Sequence, residues 1–178
     1  MKIKDKEFEV FISEEELGAI VDRLACRISD DYAGTNLVVC PVLTGAYLFA
    51  ADLLRKLTID AEVAFVKYSS YEGMHSTGKV SCQLPFPERV KGRDVLIVED
   101  IVDTGTTVTA LMAKLQQQGA SDVRICTLLY KPESYTGSLP IDYVALEIPS
   151  RFIVGFGLDY DQLGRNLPDI YVLDTQTA

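Results

Sequence analysis

The stretch that decides the fold is Val95-Leu-Ile-Val-Glu-Asp-Ile-Val-Asp-Thr-Gly-Thr-Thr-Val108. It begins with four consecutive apolar residues, which is typical of a strand covered on both faces of a parallel sheet. Two acidic residues and a polar segment follow. Beyond Gly105 the apolar residues return with helical spacing, at Val108, Leu111, Met112 and Leu115. The stretch therefore predicts a buried strand, a polar loop and a helix that packs on the sheet.

Elements of the same two kinds lie on both sides of this stretch. Ser13 and Glu16 have the spacing of a capping box and predict a helix that ends near residues 30–31. The apolar run 37–43 predicts a buried strand, and Pro41 within it suggests a sheet edge or a strand terminus. A helix is predicted after Gly45. Further strand patterns fall at residues 61–68, 123–130, 143–148, 152–156 and 170–173.

The alternation of strands and helices predicts an α/β fold, with a mainly parallel twisted sheet flanked by helices. In such folds the functional groups gather at the carboxyl ends of the strands. The sequence shows no internal repeat and no linker, so we expect one domain over residues 1–178. The polar segment 69–79 is predicted to be a loop or a β-arm that serves as a lid.

Composition narrows the functional classes. The 178 residues include 17 basic and 26 acidic side chains, for a formal net charge of −9, and 48% are hydrophobic. A largely disordered chain is thereby excluded, and broad binding to nucleic acid is disfavoured because it requires clustered Lys and Arg. The charged N-terminus and the lack of an unbroken apolar run predict no secretory signal and no membrane span, hence a cytoplasmic protein.

The four cysteines are far apart in the sequence, and the chain has a single histidine. No CxxC pair is present. We therefore expect buried thiols, rather than disulfides or a zinc site.

The polar loop after the buried strand has the composition of an anion site. Backbone N–H groups of residues 104–107, next to the positive end of a helix, are suited to a phosphate monoester. Glu99 and Asp100 directly precede them and are suited to ribose hydroxyls or a magnesium ion. The alternative is a helix cap, with Asp103 or Thr104 at the N-cap and solvated acids before it. Two acids directly after an apolar strand are costly unless they are used, which favours the functional interpretation.

Val98-Glu-Asp-Ile-Val-Asp-Thr-Gly-Thr-Thr107 closely resembles the phosphoribosyl-diphosphate motif of the type I phosphoribosyltransferases, specifically the hypoxanthine-guanine branch. Three other segments agree with that family in order and spacing. Val42-Leu-Thr-Gly45 resembles its pyrophosphate loop, and residues 70–78 resemble its flexible lid. Residues 152–160, together with Arg165, resemble its purine-binding hood. The resemblance implies a core of about 10–150 and a hood of about 150–178 that includes N-terminal residues.

The resemblance implies magnesium-dependent transfer of a phosphoribosyl group to N9 of hypoxanthine or guanine, with loss of diphosphate. The 5′-phosphate would lie on a loop made of Asp103, Thr104, Gly105, Thr106 and Thr107. Glu99 and Asp100 would orient the ribose and take part in metal binding. The diphosphate would contact Thr44 and Gly45. The family forms dimers or tetramers, so a homodimer or homotetramer is implied.

The resemblance also implies roles around the base and the leaving group. Lys131 would donate to the purine 6-oxygen, Phe152 would stack on the ring, and Ile153 would present its backbone to the purine edge. Asp159 would hold a second magnesium ion, and Arg165 would contact diphosphate. Asp103 would act as the general acid or base at N7. Ser70 and Tyr71 would close the lid over the reacting sugar.

One departure and two alternatives remain open at this point. Thr44 occupies a position where close relatives usually have Lys, and the sequence does not tell whether the Leu43–Thr44 bond is cis. A xanthine-preferring enzyme would carry the same motifs. A regulator that senses phosphoribosyl diphosphate and binds nucleic acid would share the fold, but it would need a basic face, which the charge of −9 disfavours.

Overall fold

The computed structural model describes residues 1–72 and 75–174, and for residues 69–72 and 75–80 the backbone alone. The helices are α1 (Glu14–Asp31), α2 (Tyr47–Lys56) and α3 (Thr106–Gln117), with one 3₁₀ turn at Glu88–Val90. The strands are β1 (Lys2–Ile3), β2 (Lys6–Ile12), β3 (Leu37–Leu43), β4 (Glu62–Val63), β5 (Val66–Glu72), β6 (His75–Leu84), β7 (Asp94–Val102), β8 (Asp122–Tyr130), β9 (Tyr143–Glu147), β10 (Ile153–Val154) and β11 (Ile170–Leu173).

Seven of the described strands form the main sheet, in the order β6-β5-β3-β7-β8-β9 with β4 beside β3. All pairs in this sheet are parallel except β5 with β6. The predicted mainly parallel α/β sheet is therefore confirmed. Because β3 and β7 are neighbours, their carboxyl ends meet at the same edge of the sheet, and so do the loops that follow them.

The position of β7 inside the sheet, between β3 and β8, explains its apolar run. Leu96 and Val98 point into the cluster that includes buried residues of α1 and α2. Val95 and Ile97 point into the cluster that includes α3. Each of these four side chains is fully buried, and such burial stabilises a fold by about 1.5–3 kcal/mol per large side chain. The run is unbroken because helices cover both faces of the sheet.

The predicted capping box of α1 is present. The Glu16 N–H donates to the Ser13 hydroxyl at 3.3 Å, and the Ser13 N–H donates to the Glu16 carboxylate at 2.9 Å. The helix ends at Asp31, within the predicted boundary.

Pro41 was expected at a sheet edge or a strand terminus. The edge was wrong, since β3 lies inside the sheet between β7 and the β4–β5 side, and the strand continues beyond Pro41 to Leu43. The structure shows how the proline is accommodated. β4 pairs with residues 38 and 39 of β3, and β5 pairs with residues 42 and 43. No pair on that side falls at Pro41, so its missing N–H removes no ladder bond there.

A second sheet, in the order β1-β2-β11-β10, lies in the region that the resemblance assigns to the hood, residues 150–178 with N-terminal residues. Strand β2 was not among the predicted strands, although the N-terminus was expected to join this region. Strand β10 is shorter than the predicted run 152–156. It stops at Val154 because Gly155, Phe156 and Gly157 have φ values of 105°, 49° and 103°, which a strand cannot contain.

The described residues of the segment predicted as a lid belong to a β-arm, because β5 and β6 pair as antiparallel strands over residues 67–72 and 75–84. Gly73 and Met74 lie outside the described residues. Among the described residues, no helix combines the length and apolarity that crossing a membrane requires.

All four cysteines are free thiols. Cys40 and Cys126 are buried, as expected. The expectation was wrong for Cys26 and Cys82, which are exposed on α1 and β6.

Candidate active site

The two acidic residues of the phosphate motif belong to the strand itself, because β7 continues to Val102. Burial raises the pKa of Glu99 well above its usual value, and the neighbouring charge of Asp100 adds to this effect. Burial also raises the pKa of Asp100 to about 6, although the N–H of Ile101 donates to its carboxylate at 2.9 Å. Two carboxylates in such surroundings are suited to binding a hydroxylated or cationic ligand.

The loop after β7 opens α3 with a bare helix N-terminus. Gly105 is the N-cap residue, with φ of +85°, so the N-cap position supplies no side-chain acceptor, and the Thr106 N–H donates to the Thr104 hydroxyl only at 3.5 Å. The alternative with Asp103 or Thr104 at the N-cap was therefore wrong. Residues 101–108 and Glu99 line one concave surface, on which the hydroxyls of Thr104 and Thr106 lie 3.0 Å apart. Amides at a helix N-terminus with hydroxyls beside them form a site for an anion.

Lys131 and Asp103 meet beside this concave surface. Strand β8 ends at Tyr130, and the N–H of Lys131 donates to the Val102 carbonyl at 3.0 Å, which joins the two loops. The Nζ atom of Lys131 lies 3.2 Å from Oδ2 of Asp103. Only 12% and 24% of these two side chains are exposed. The structure thus brings together two of the predicted site residues that are far apart in the sequence.

The loop after β3 packs tightly against Asp100 of β7. The Leu43–Thr44 peptide bond is cis, which the sequence had left open, and Thr44 is exposed. A Cβ atom at Gly45 would lie 1.6 Å from Oδ2 of Asp100. Gly45 therefore lets the backbone of this loop approach the carboxylate directly.

Gly157 of the hood contributes to the same packing, and sequence reasoning assigned it no role. A Cβ atom there would lie 2.0 Å from the carbonyl oxygen of Gly45. The Gly-Phe-Gly pattern at residues 155–157 was the available signal, but it does not reveal which distant backbone the glycine contacts.

The hood places Asp159 and Arg165 opposite the sheet acids. Nη2 of Arg165 lies 2.7 Å from Oδ1 of Asp159, and its Nη1 donates to the Gly157 carbonyl at 2.8 Å. Both side chains are close enough to influence Asp100, since Arg165 lowers the pKa of Asp100 and Asp159 raises it. Asp159 and Arg165, in the segment between β10 and β11, thus lie near Asp100 of the main sheet.

Other predicted residues are placed less directly. Phe152 is half-buried in an aromatic group, with its ring centroid 6.3 Å from that of Phe8 and 5.7 Å from that of Tyr160. Ile153 is buried in β10. The backbone of Ser70 and Tyr71 belongs to β5, and their side chains lie outside the described part of the structure. The purine-stacking and lid roles therefore stay predictions.

A mainly parallel sheet whose central strand carries paired carboxylates near its carboxyl end, followed by a helix N-terminus that opens at a glycine, is suited in an α/β protein to binding a phosphorylated ligand. Comparison with known proteins gives the particular family. The model of the phosphoribosyl transferase domain matches residues 13–161. The hypoxanthine-guanine phosphoribosyltransferase of Lactococcus lactis is 43% identical over 171 residues, which cover 95% of this chain and 93% of that protein. Its counterpart in Streptococcus thermophilus is 39% identical, with coverage of 93% and 92%.

Solved structures agree with the sequence matches. A hypoxanthine-guanine phosphoribosyltransferase from Bacillus anthracis superposes with a TM-score of 0.88 at 38% identity, covering 96% of this chain and 99% of that chain. The Trypanosoma cruzi hypoxanthine phosphoribosyltransferase, solved with its product IMP, gives 0.87 at 35% identity and covers both chains fully, at 100% each. The chain belongs to the phosphoribosyltransferase family, in its hypoxanthine-guanine branch.

Proposed function

We propose that this protein transfers the phosphoribosyl group of 5-phosphoribosyl 1-diphosphate to N9 of hypoxanthine, and also of guanine, in purine salvage. IMP or GMP forms and diphosphate leaves. The observation that carries the proposal is the Lys131–Asp103 pair, 3.2 Å apart beside the helix N-terminus of residues 103–107. This arrangement offers a base-recognising donor and acceptor next to a phosphate site.

The 5′-phosphate of the sugar would occupy the loop 103–107, where backbone amides, threonine hydroxyls and the positive helix end favour an anion. The carboxylates of Glu99 and Asp100 would accept hydrogen bonds from the ribose hydroxyls. Their raised pKa values reflect burial that such bonds would offset. The position of the anomeric carbon is then set between the sheet and the hood.

The purine edge would lie against Lys131 and Asp103. A 6-oxopurine with a proton on N7 presents an acceptor and a donor side by side, which matches an ammonium donor beside a carboxylate acceptor. Adenine carries an amino donor at position 6, so Lys131 would face a donor and discriminate against it. As the bond from N9 to C1 of the ribose forms and the bond from C1 to diphosphate breaks, the N7 proton would pass to Asp103.

The leaving diphosphate would lie between the loop of Thr44 and Gly45 and the hood. Arg165 would stabilise its charge and would exchange part of its contact with Asp159 for the phosphate oxygens. The arm of residues 69–79, with Ser70 and Tyr71, would cover the reacting sugar and exclude water. Its backbone pairing as β5 and β6 supports this proposal.

The oxygen donors of the site fit a magnesium ion that arrives with the substrate. Mg²⁺ is commonly held by one or two carboxylates together with substrate phosphates. Asp100 and Asp159 are close enough to interact, and Glu99 adjoins Asp100. Glu99 and Asp100 would help to hold one ion and Asp159 a second, each together with substrate oxygens, and the metal when bound would neutralise charge on the leaving diphosphate. Within the described residues, no group of three or more His, Cys, Asp or Glu side chains is arranged to hold a metal ion, so substrate oxygens would have to supply the remaining ligands.

Two further features belong to the proposal. We propose a homodimer or homotetramer, supported by the exposed apolar side chains of Phe65 and Leu84 (49% and 42%) at the base of the arm. Light scattering on the purified protein tests this. We also propose a cytoplasmic location, supported by the charge of 5-phosphoribosyl 1-diphosphate, which does not cross membranes unaided, and fractionation tests it.

The deciding experiment is a spectrophotometric panel of hypoxanthine, guanine, xanthine, adenine and uracil, each with 5-phosphoribosyl 1-diphosphate and magnesium. We expect turnover of hypoxanthine and guanine and little with adenine or uracil. Faster turnover of xanthine than of hypoxanthine and guanine would favour a xanthine-preferring enzyme instead. Tight binding of 5-phosphoribosyl 1-diphosphate without turnover of any base would overturn the enzymatic proposal in favour of a sensor.

A further inference from the structure

The loop of residues 131–139, which follows β8, packs through an aromatic ring against residues 103–107, the proposed phosphate loop. A Cβ atom at Gly105 would lie 2.3 Å from Cε2 of Tyr135, and one at Gly137 would lie 2.6 Å from its hydroxyl. The Tyr135 hydroxyl donates to the Leu139 carbonyl at 2.7 Å, and its ring meets Tyr130 edge-on with centroids 5.4 Å apart. Tyr135 is therefore fixed between two glycines, and one of them opens α3.

The next residue holds the phosphate loop by hydrogen bonds. The backbone N–H and the hydroxyl of Thr136 both donate to the carbonyl oxygen of Thr104, each at 3.3 Å. The Thr104–Gly105 peptide is trans, so its carbonyl and its N–H point in opposite directions. Because the Thr104 carbonyl is held toward Thr136, the Gly105 N–H points away from the loop of residues 131–139. The left-handed φ of +85° at Gly105 then turns the chain into the helix.

We infer that Tyr135 and Thr136 are positioning residues for the 5′-phosphate: they fix the Thr104–Gly105 peptide before the ligand arrives. The inference rests on the proposed function. Neither residue was predicted as part of the site. A preorganised amide loses less freedom on binding, so the phosphate gains affinity without a direct contact from either side chain.

The same loop begins at Lys131, whose carbonyl accepts the N–H groups of Ser134 and Tyr135, both at 3.1 Å. The lysine proposed to recognise the purine and the residues that fix the phosphate loop thus belong to one hydrogen-bonded turn. This turn joins the two ends of the nucleotide site.

The test compares IMP with inosine, which lacks only the phosphate, by titration calorimetry. The dissociation constant of inosine divided by that of IMP gives the contribution of the phosphate to affinity. We expect Thr136→Val to lower this ratio about fivefold, the size of one lost hydrogen bond. Tyr135→Ala should lower it about tenfold, because the ring that packs on Gly105 is removed and the peptide is no longer preorganised. Tyr135→Phe, which keeps the ring on Gly105, and Glu133→Ala, an exposed change in the same loop, should stay within about twofold.

Steady-state kinetics supply a second measurement. The KM for 5-phosphoribosyl 1-diphosphate should rise in Tyr135→Ala and Thr136→Val, with a smaller change in the KM for hypoxanthine. Thr136→Ser, which retains the hydroxyl donor, should restore most of the loss.

The possible results distinguish a failure of the positioning roles from a failure of the proposed function. If the unmodified protein binds IMP no better than inosine, the phosphate site itself is wrong. If the unmodified protein prefers IMP and both Tyr135→Ala and Thr136→Val keep that preference, only the positioning roles are overturned. Equal weakening of IMP and inosine would indicate general damage and would also overturn them. Should Tyr135→Ala fail to fold, the isosteric Thr136→Val decides.

Discussion

Nζ of Lys131 lies 3.2 Å from Oδ2 of Asp103, although 27 residues separate the two in the sequence. Parallel pairing of β7 with β8 causes this meeting, because Val102 pairs with Tyr130 and each side chain belongs to the residue that follows. Each charged group is the partner of the other in the free protein. A base that offers an acceptor and a donor can bridge both, which leaves neither charge unpaired.

Lys131→Ala tests the recognition half of this pair. We expect the affinity for hypoxanthine to fall about 10- to 100-fold, the range for a lost hydrogen bond to a charged group. The affinity for 5-phosphoribosyl 1-diphosphate should change far less. Calorimetry with each ligand measures both, and Lys114→Ala, an exposed lysine of α3, serves as the control. Equal losses for the two ligands would contradict the assignment.

Asp103→Asn tests the proton-transfer half. The amide keeps the shape of the carboxylate but is a far weaker proton acceptor, so we expect kcat to fall by about 10²-fold or more. Asp103→Ala should likewise lose most turnover. The melting temperature should change little in Asp103→Asn, whose amide oxygen still accepts from Lys131, and should fall more in Asp103→Ala, which leaves the ammonium of Lys131 without this partner. Turnover of hypoxanthine at the unmodified rate by either variant would exclude Asp103 as the acid or base.

Much of this architecture could be predicted because it depends on neighbours in the sequence. The unbroken apolar run of β7 predicts its covered position, and the Ser13–Glu16 spacing predicts the cap of α1. The meeting of Lys131 and Asp103 follows once parallel β7 and β8 are assumed. These inferences use only local pattern and the handedness of βαβ units.

The remaining features depend on contacts between distant segments. Pro41 suggested an edge, yet two short strands share that side of β3 and leave room for it. Strand β2 pairs with β11, across most of the chain length. The packing of Tyr135 on Gly105 requires knowing where a loop folds back. Local propensity carries no information on any of these, since each is decided by tertiary packing.

Gly157→Ala and Gly18→Ala should shift stability in opposite directions. Gly157 has φ of +103° and touches the Gly45 carbonyl, so alanine there combines backbone strain with a steric clash. We expect a loss of about 2 kcal/mol or more in the free energy of unfolding. Gly18 lies inside α1 with nothing within 4 Å of a new Cβ, so alanine should add about 0.5–1 kcal/mol. Urea unfolding measures both. A neutral Gly157→Ala would mean that Gly157 does not pack on the carbonyl of Gly45 as described.

Thiol titration tests the burial of the cysteines. Cys26 and Cys82 are exposed and should react quickly with a disulfide reagent. Burial raises the pKa of Cys40 to about 12 and raises that of Cys126 as well, so neither forms thiolate near neutral pH. We expect two fast equivalents in the native protein and four after denaturation. The single variants Cys26→Ser and Cys82→Ser should each remove one fast equivalent. A third fast equivalent would mean that the core opens on the timescale of the reaction.

Metal removal tests whether magnesium binds with the substrate or before it. The described acids do not form a three-ligand group, so Mg²⁺ alone should shift the melting temperature by less than about 1 °C. Mg²⁺ together with 5-phosphoribosyl 1-diphosphate, at about 100 times its dissociation constant, should raise it by about 5–10 °C, because phosphate oxygens complete the coordination. Asp159→Asn should reduce this joint shift, whereas Asp161→Asn, whose side chain is 68% exposed, should not.

Turnover should vanish in chelator and return with Mg²⁺. A large shift with Mg²⁺ alone would show a site complete without substrate, and full turnover in chelator would remove the metal from the reaction.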